Sequence, residues 1–482
     1  MQKKWPLFLI AIGIFFIEIC NELTTTGMFM DGLIYDNIAA NMARGIGSFW
    51  EPMLLPSSGK PFIGHPPLAF GMLALCYKVF GVHIGVCKGY SLLMFILSGL
   101  LLLRLWERNG FKREMGWLPL MLWVLVPMVS QYACDNLLEG TMGVFVLAST
   151  LCMMQSSSRQ GKRICWHILA GFFLYLAFLT KGFTGLYPLC LPMITWLVDR
   201  ICSRKEENHT FLQALCYCLI PLAALILCCL VTGILQPTAV EYFKAYLSEQ
   251  VISGSKSVTV DSRYYIIIKF FERTAIVWAL TIVILSITLL SKGKTNLPIL
   301  SDKSKRAFFT FLLFSLCGVI PMIISTKQRD FYFLTVLPFL AIALGSLLND
   351  SVQQWLDHDR KRFRMVASTM AAIVAMVAIT LNIANYGKPG RDKEIQQDVE
   401  LIAQHVDIGE TIIAPLHINE EYSFINYAYR AKQIEILGTN LECITTPLPK
   451  HLIACNNEVI SDSAYRPVEL STKLYRLYEL KE

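Results

Sequence analysis

The chain has 482 residues, of which 54% are hydrophobic and only 16% are charged, and its formal net charge is +7 at pH 7. Long apolar runs recur along it, which excludes a soluble globular protein and a disordered chain and indicates a polytopic membrane protein. The basic residues cluster between apolar runs, so the positive charge is typical of cytoplasmic loops and predicts no nucleic-acid partner.

Apolar runs of about 16 or more residues predict about eleven membrane-spanning helices, because each helix must cross roughly 30 Å of hydrocarbon. These runs fall at 5–22, 86–103, 117–133, 137–154, 164–180, 183–198, 212–234, 274–291, 308–326, 331–348 and 365–385. The first run follows a basic N-terminus, and no convincing small-residue cleavage site comes after it, so we predict a retained helix instead of a signal peptide.

A twelfth candidate, the run 66–82, begins PPLAFGMLALCYKVFG. Five clusters of Lys and Arg follow later spans, and cytoplasmic loops carry the positive excess. If 66–82 crossed the membrane, all five clusters would lie on the outer side. If it stays beside the membrane, they lie on the cytoplasmic side together with the basic N-terminus, so we predict that 66–82 does not cross the membrane. The resulting outer loops and outer helix ends carry these polar and charged side chains: Asp31, His65, Asp135, Lys181, Glu249, Lys327 and Arg329.

Three outer regions are long, namely 23–85, 235–273 and the chain after residue 385. The last region reads as a Gly/Pro linker, a helix, a turn at Gly409 and a β-branched strand, and its final run VELSTKLYRLYEL predicts another strand. We therefore predict an all-α polytopic transmembrane domain over 1–385, with juxtamembrane helices. A small soluble α/β domain of about 95 residues is predicted over 386–482.

The 15 cysteines lie mostly inside predicted spans, where Cys behaves as a small hydrophobic residue. The sequence contains no CxxC pair and no His/Cys spacing typical of a zinc site. Cys443 and Cys455 share the predicted soluble domain. A disulfide between them and two free thiols are equally consistent with their positions.

The stretch DGLIYDNIAANMARG, which follows the first span, has helical spacing. Its apolar stripe consists of Ile34, Tyr35, Ile38 and Met42. Its polar side consists of Asp36, Asn37, Asn41 and Arg44. This pattern predicts a short amphipathic helix that lies on the outer membrane surface. Asp31 stands at its start, where a carboxylate commonly caps a helix, so position alone favours capping at least as much as catalysis.

Five stretches, taken in chain order, carry a family resemblance: DGLIYDNIAANMARG, GKPFIGHPPLAFGMLALCYKVFG, CDNLLEGTMGVFVLASTL, AGFFLYLAFLTKGFTGLYPLCLP and STKQRDFYFLTVLPFLAIALG. Together they resemble the GT-C membrane glycosyltransferases, in particular the branch of the lipid A aminoarabinose transferases and protein O-mannosyltransferases. The resemblance covers about residues 5–348 and does not extend to the C-terminal domain. It implies transfer of a sugar from a polyprenyl-phosphate carrier to a lipid, glycan or protein acceptor on the outer side of the membrane.

The resemblance also implies roles for Asp31, Lys181 and Asp135, and side-chain chemistry adds Arg329. Asp31 is the candidate catalytic base, because a hydroxyl that attacks the anomeric carbon needs a carboxylate to take its proton. Lys181 and Arg329 are candidates for binding the donor phosphate, whose charge needs compensating cations. Asp135 is a candidate second acid of the site. The alternatives are a Lys181 that snorkels to the interface, an Arg329 in an ordinary solvated loop and an Asp135 that caps the fourth span.

One departure from the family pattern lies at IGHPPL, where related transferases often have an acid and a lysine before the double proline. This chain has Gly64 and His65 there. We predict that His65 contacts the donor phosphate. A divalent metal bound by its neutral imidazole is the alternative, which is disfavoured because His65 lacks the neighbouring acid that a complete metal site needs, and no other cofactor is assigned. Tyr35 and Lys88 are the further predicted substrate contacts, with snorkelling as the alternative for Lys88.

The resemblance places the chain in a bacterial inner membrane, with the N-terminus inside and the C-terminal domain in the periplasm. Its expected partners are the lipid bilayer, a polyprenyl-phosphate-linked sugar and the acceptor. Two other classes fit a polytopic chain with long loops, namely a transporter and a non-catalytic membrane scaffold with an external binding domain. A transporter is expected to show broken-helix repeats and polar residues at the membrane midplane, and neither is evident in the sequence.

Overall fold

The structure of the protein is a computed structural model, and it describes residues 4–155, 160–202, 210–253, 258–291, 300–358, 360–440, 448–458, 460 and 464–481. The described chain is mostly helical, and a five-stranded sheet lies near its C-terminus. This confirms the predicted fold class, a helical membrane protein with a small C-terminal α/β unit.

The helices before residue 155 are α1 (Trp5–Glu18), α2 (Cys20–Leu23), α3 (Met30–Arg44), α4 (Leu68–Phe80), α5 (Ile84–Arg108), α6 (Trp117–Val124), α7 (Pro127–Tyr132) and α8 (Leu138–Met153). The next helices are α9 (Gln160–Lys181), α10 (Leu191–Ile201), α11 (Phe211–Leu235), α12 (Pro237–Tyr246), α13 (Tyr265–Ser291), α14 (Asp302–Val319), α15 (Leu337–His358) and α16 (Arg360–Asn385). Shorter helical segments connect some of them, among them the 3-10 helices Gly182–Cys190 and Asp330–Val336 and the π-helix Leu247–Ser253.

Seven helical stretches of the described chain are long and apolar enough to cross a membrane. They are Ile84–Arg108, Gly161–Ile201, Phe211–Leu235, Tyr265–Leu290, Asp302–Ile324, Asp330–Leu356 and Arg364–Asn385. Each overlaps one predicted span, except Gly161–Ile201, which overlaps two. The chain is a multi-pass membrane protein, and the count of about eleven spans stays a prediction.

The remaining predicted spans have shorter helices. α1 and α8 contain 14 and 16 residues. The predicted span 117–133 is divided into α6 and α7, because Pro127 lacks the N–H that a continuous helix needs and instead begins α7. The candidate 66–82 forms α4, which contains 13 residues and, like α1 and α8, is shorter than the usual spanning helix of about 20 residues, so its place beside the membrane stays a prediction. α13 begins at Tyr265, ahead of the predicted start at residue 274.

Burial separates the central helices from the peripheral ones. In the stretch Asp330–Leu356, 83% of the most apolar window is buried inside the protein, against 11% in Phe211–Leu235 and 17% in Arg364–Asn385. α15 therefore lies at the centre of the bundle, whereas α11 and α16 present apolar side chains outwards. An apolar outer surface of this kind is suited to contact with lipid.

The C-terminal unit contains α17 (Lys393–Ala403), α18 (Tyr422–Lys432) and the strands β1 (Thr411–Pro415), β2 (Glu435–Thr439), β3 (His451–Cys455), β4 (Tyr465–Pro467) and β5 (Tyr475–Leu480). The strand order is β2-β1-β3-β5-β4, with β1 parallel to β2 and β3, and β5 antiparallel to β3 and β4. The predicted helix, the turn at Gly409 and the two predicted strands are all present. Cys443, one half of the pair considered for a disulfide, lies outside the described residues.

The polar side of α3 packs against α18 of the C-terminal unit. Asp36, only 1% exposed, forms an ion pair with Arg430 and accepts a hydrogen bond from the hydroxyl of Tyr77. The amide of Asn37 donates to the backbone and side-chain oxygens of Asn426, both at 3.0 Å. The predicted helix is present, but the prediction of a helix on the membrane surface did not include this protein partner for its polar side.

Candidate functional site

Asp31 lies in the first turn of α3, and its geometry shows that the capping interpretation is wrong. Phe29 takes the N-cap position, and no side chain caps the helix. The backbone N–H of Phe29 instead donates to Oδ1 of Asp135 at 3.0 Å. The carboxylate of Asp31 is therefore not used as a cap, and it lies half-buried among other charged side chains.

Two cations from distant parts of the chain act on Asp31. Burial raises the pKa of the Asp31 carboxyl, and the positive charges of Lys181 and Arg329 oppose that rise. Lys181 ends α9, whereas Arg329 immediately precedes the 3-10 helix that leads into α15. Burial makes the carboxylate a stronger base than an exposed aspartate, while the two cations favour its ionised form. Three predicted site residues therefore lie together.

Lys181 forms an ion pair with Glu139, which lies in the first turn of α8. Both side chains are buried, with 6% and 1% of their surfaces exposed, so the snorkelling alternative for Lys181 is wrong. The ammonium also lies 4.6 Å from the ring centroid of Tyr332 and 5.3 Å from that of Phe331. Glu139 was not predicted as a site residue, although a charge at the end of an apolar span indicates a need for a partner.

Gly182 allows the chain to turn directly after Lys181. Its φ is 74°, a conformation that glycine adopts readily and other residues rarely do. A Cβ at this position would also overlap the hydroxyl oxygen of Tyr246 in α12. The Lys-Gly pair therefore ends α9 at the point where the Lys181 ammonium reaches Glu139.

Tyr35 and His65 belong to the same cluster, and their rings meet edge to face with centroids 5.8 Å apart. Burial raises the pKa of Tyr35, and the negative charge of Asp31 adds to that rise. Burial lowers the pKa of His65, and the positive charges of Lys181 and Lys327 lower it further. His65 is therefore neutral near pH 7, and a neutral imidazole offers one N–H donor and one acceptor nitrogen.

Arg329 is the exposed cation of the cluster. Within the part of the chain that the structure describes, its guanidinium forms no ion pair, whereas the neighbouring Asp330 pairs with Arg273 at 2.6 Å. Lys327 donates to Oε1 of Gln250 at 3.3 Å. A guanidinium that is not held by a carboxylate can make two parallel hydrogen bonds to a phosphate.

Lys88 lies outside this cluster and holds the segment that precedes α3. Its ammonium donates to the backbone carbonyls of Glu22, Thr25 and Gly27, the last two at 2.7 and 2.8 Å. These bonds use all three of its N–H groups. Lys88 is only 2% exposed, so the snorkelling alternative is wrong, and its contact with substrate stays a prediction.

Asp135 precedes α8 without capping it, because Leu137 takes the N-cap position and no side chain caps that helix. Its Oδ2 lies 3.8 Å from the guanidinium of Arg391, which in turn lies 3.9 Å from the carboxylate of Glu22. Burial raises the pKa of Asp135, and the hydrogen bond from Phe29 and the charge of Arg391 oppose the rise. Asp135 therefore links the start of α3 to the C-terminal unit, and its role as a second acid stays a prediction.

The structure thus brings five predicted site residues into one cluster: Asp31, Tyr35, His65, Lys181 and Arg329. The same cluster also contains Glu139, Tyr332 and Lys327. In the described chain, His65 belongs to no group of His, Cys, Asp and Glu side chains spaced for a metal ion. The cluster combines a half-buried carboxylate with several cations, an arrangement suited to taking a proton beside a bound anion.

Comparisons with known proteins show a partial family match. Residues 64–231 match the family of dolichyl-phosphate-mannose-protein mannosyltransferases. No curated protein matches the sequence.

Several solved structures have a similar fold. ArnT from Cupriavidus metallidurans in the apo state has a TM-score of 0.65 and 13% identity, and the similarity covers 98% of this chain and 97% of ArnT. The same ArnT bound to undecaprenyl phosphate has a TM-score of 0.62 and 13% identity, over 99% and 98% of the two chains. The oligosaccharyltransferase AglB from Archaeoglobus fulgidus, in complex with an inhibitory peptide and a dolichol-phosphate, has a TM-score of 0.51 and 10% identity, over 94% of this chain and 69% of AglB. The chain is therefore a multi-pass membrane protein whose fold is similar to that of ArnT, and part of its sequence is similar to the dolichyl-phosphate-mannose-protein mannosyltransferases.

Proposed function

We propose that the protein is an integral-membrane glycosyltransferase of the outer face of a bacterial inner membrane. It moves a sugar from a polyprenyl-phosphate carrier to a hydroxyl or phosphate acceptor on lipid A, a glycan or a protein. The observation that carries the proposal is the half-buried carboxylate of Asp31 beside Lys181 and Arg329, on an ArnT-like fold. The undecaprenyl phosphate bound to ArnT and the dolichol-phosphate bound to AglB support a carrier of the same chemistry.

In the proposed reaction, an acceptor oxygen forms a bond to the anomeric carbon while the bond from that carbon to the phosphate oxygen breaks. The bonding electrons leave with the polyprenyl phosphate. Asp31 takes the proton of an acceptor hydroxyl. It is suited to this role because burial raises the pKa of its carboxyl while Lys181 and Arg329 favour the ionised form. The phosphate is a leaving group of low basicity, so it needs compensating positive charge more than a proton.

The cations of the cluster exceed its carboxylates, which supports an anionic donor. Lys181, Lys327 and Arg329 stand against Asp31 and Glu139, so the excess charge matches the single negative charge of a sugar phosphodiester. Arg329 is exposed and is the first choice for a bidentate contact with the phosphate. Lys181, already paired with Glu139, adds positive charge from inside the protein.

The test compares lipids and glycans, by mass spectrometry, in cells that contain the protein and cells that lack it. We expect the polyprenyl-phosphate sugar and the unmodified acceptor to accumulate without the protein. Asp31→Asn, at equal expression, is expected to reproduce that accumulation. Asp302→Asn, which changes an exposed aspartate at the start of α14, is the control and is expected to behave as the wild type. Full transfer by Asp31→Asn, or unchanged lipids and glycans without the protein, would favour a transporter or a scaffold.

A further inference from the structure

The C-terminal unit brings together three side chains that are typical metal ligands, and these have no part in the cluster around Asp31. Nε2 of His417 lies 3.6 Å from Sγ of Cys455 and 3.4 Å from Oε1 of Glu458. The three ligand atoms all lie within 4.8 Å of one another. We propose that His417, Cys455 and Glu458 form a binding site for a divalent transition metal, with zinc as the best fit.

The sheet topology explains why residues so far apart in the sequence meet. β1 and β3 are parallel neighbours, with Ile413 paired with Leu452, so their carboxyl ends reach the same edge of the sheet. His417 lies in the 3-10 helix Leu416–Glu420 directly after β1, and Cys455 is the last residue of β3. Loops at the carboxyl ends of parallel strands are a common place for ligand sites.

A short turn brings Glu458 back to the same place. The backbone N–H of Cys455 donates to Oε2 of Glu458 at 3.3 Å, which leaves Oε1 facing His417. One carboxylate oxygen thus holds the turn, and the other belongs to the proposed site. The His417 and Glu458 side chains are 48% and 36% exposed, so an ion can reach the site from solvent.

The donor atoms and their spacing fit zinc. Zinc binds imidazole nitrogen, thiolate sulfur and carboxylate oxygen in a tetrahedron, with bonds of about 2.0–2.3 Å, which separates neighbouring ligand atoms by about 3.3–3.6 Å. The two measured separations from the His417 nitrogen, 3.4 and 3.6 Å, have these values. With three protein ligands, a water molecule would complete the tetrahedron.

The electrostatics of the group favour a cation. The carboxylates of Glu458 and Glu421 place negative charge near the Cys455 sulfur. A bound divalent ion would be attracted by these negative charges and would hold the sulfur as a thiolate. The ion would join the segment after β1 to the end of β3 and would thereby stabilise the C-terminal unit.

The test measures zinc binding by the purified full-length chain in detergent, after chelation, with a reductant that does not bind zinc. We expect His417→Ala, Cys455→Ser and Glu458→Gln each to weaken zinc binding by at least about tenfold. The matched controls are His405→Ala, an exposed histidine just after α17, and Cys165→Ser, an exposed cysteine of α9, and both are expected to bind zinc as the wild type does.

Two further readouts identify the site independently of affinity. Cobalt in place of zinc is expected to show a thiolate-to-cobalt charge-transfer band that Cys455→Ser removes and Cys165→Ser retains. Zinc is also expected to raise the unfolding temperature of the wild type and of His405→Ala, but not that of His417→Ala. The proposal is overturned if His417→Ala and Cys455→Ser bind as much zinc as the wild type, or if the cobalt-loaded wild type shows no thiolate band.

Discussion

The ammonium of Lys181 and the carboxylate of Glu139 form a buried ion pair beside Asp31. Removing one partner of such a pair leaves an uncompensated buried charge, which typically costs about 3–5 kcal/mol. Arg329, the second cation that acts on Asp31, is exposed and has no such partner among the described residues. The two cations therefore differ in what they contribute: Lys181 contributes to stability and to local charge, whereas Arg329 is available to a ligand.

Replacing these two cations is expected to have different effects. Lys181→Met should lower the unfolding free energy by about 3 kcal/mol or more and should also reduce transfer. Arg329→Met should leave the unfolding temperature unchanged and raise the KM for the lipid-linked donor at least about tenfold, the cost of one lost charged hydrogen bond. Thermal unfolding in detergent measures the stability of each variant, and transfer rates at varied donor concentration measure its KM. The double variant Lys181→Met/Glu139→Leu should recover stability without recovering activity, and equal destabilisation by the two single variants would contradict the assignment.

Asp31→Asn is expected to reduce transfer at least about 100-fold without loss of stability. The folded state holds the pKa of Asp31 above its ordinary value, so the stabilisation from this group is present at low pH and is lost as pH rises through the raised pKa. Asparagine does not ionise, and the variant should therefore unfold at the same or a higher temperature than the wild type at pH 7. A marked fall in its unfolding temperature would show that Asp31 is a structural residue.

The ion pair between Arg430 and Asp36 is expected to couple the C-terminal unit to the helix that carries Asp31. Arg430→Met leaves Asp36 buried without its cation and should lower the unfolding free energy by about 3 kcal/mol. Arg466→Met removes an exposed partner of Glu479 and should cost less than about 1 kcal/mol. Activity at a temperature where both variants are folded should fall only in Arg430→Met, because α3 then loses its support. Equal activities would show that α3 is held without α18.

Gly32 permits the close approach of α3 to the segment that holds Asp135. A Cβ at this position would overlap the backbone oxygen of Asp135, whereas a Cβ at Gly89, also within a helix, would meet no atom within 4 Å. Gly32→Ala is therefore expected to cost about 1–3 kcal/mol and to reduce transfer, because it moves the first turn of α3 and Asp31 with it. Gly89→Ala should be neutral or slightly stabilising. Comparable unfolding curves and rates for the two variants would refute this explanation.

Local patterns in the sequence predicted the membrane class, the positions of the long apolar helices and the helix that begins near Asp31. They also predicted α17 and the strands β1 and β5. These predictions succeed because apolar run length, helical spacing and turn residues act within a few positions along the chain. The family resemblance and side-chain chemistry together selected five residues that the structure brings into one cluster, Asp31, Tyr35, His65, Lys181 and Arg329.

Partners from distant segments were not predicted, because a polar residue in a pattern does not reveal which side chain will satisfy it. Asp36 marked the polar side of a surface helix, yet it is buried against Arg430 of α18. Glu139 was passed over, yet it pairs with Lys181.

His417 and Cys455 have no zinc-like spacing in the sequence, and they meet only because β1 and β3 are parallel neighbours whose ends share one edge of the sheet. Apolar run length and periodicity are local properties that the amino-acid order alone contains. The pairings of Asp36 with Arg430, of Glu139 with Lys181 and of His417 with Cys455 instead depend on how helices and strands pack across the folded chain.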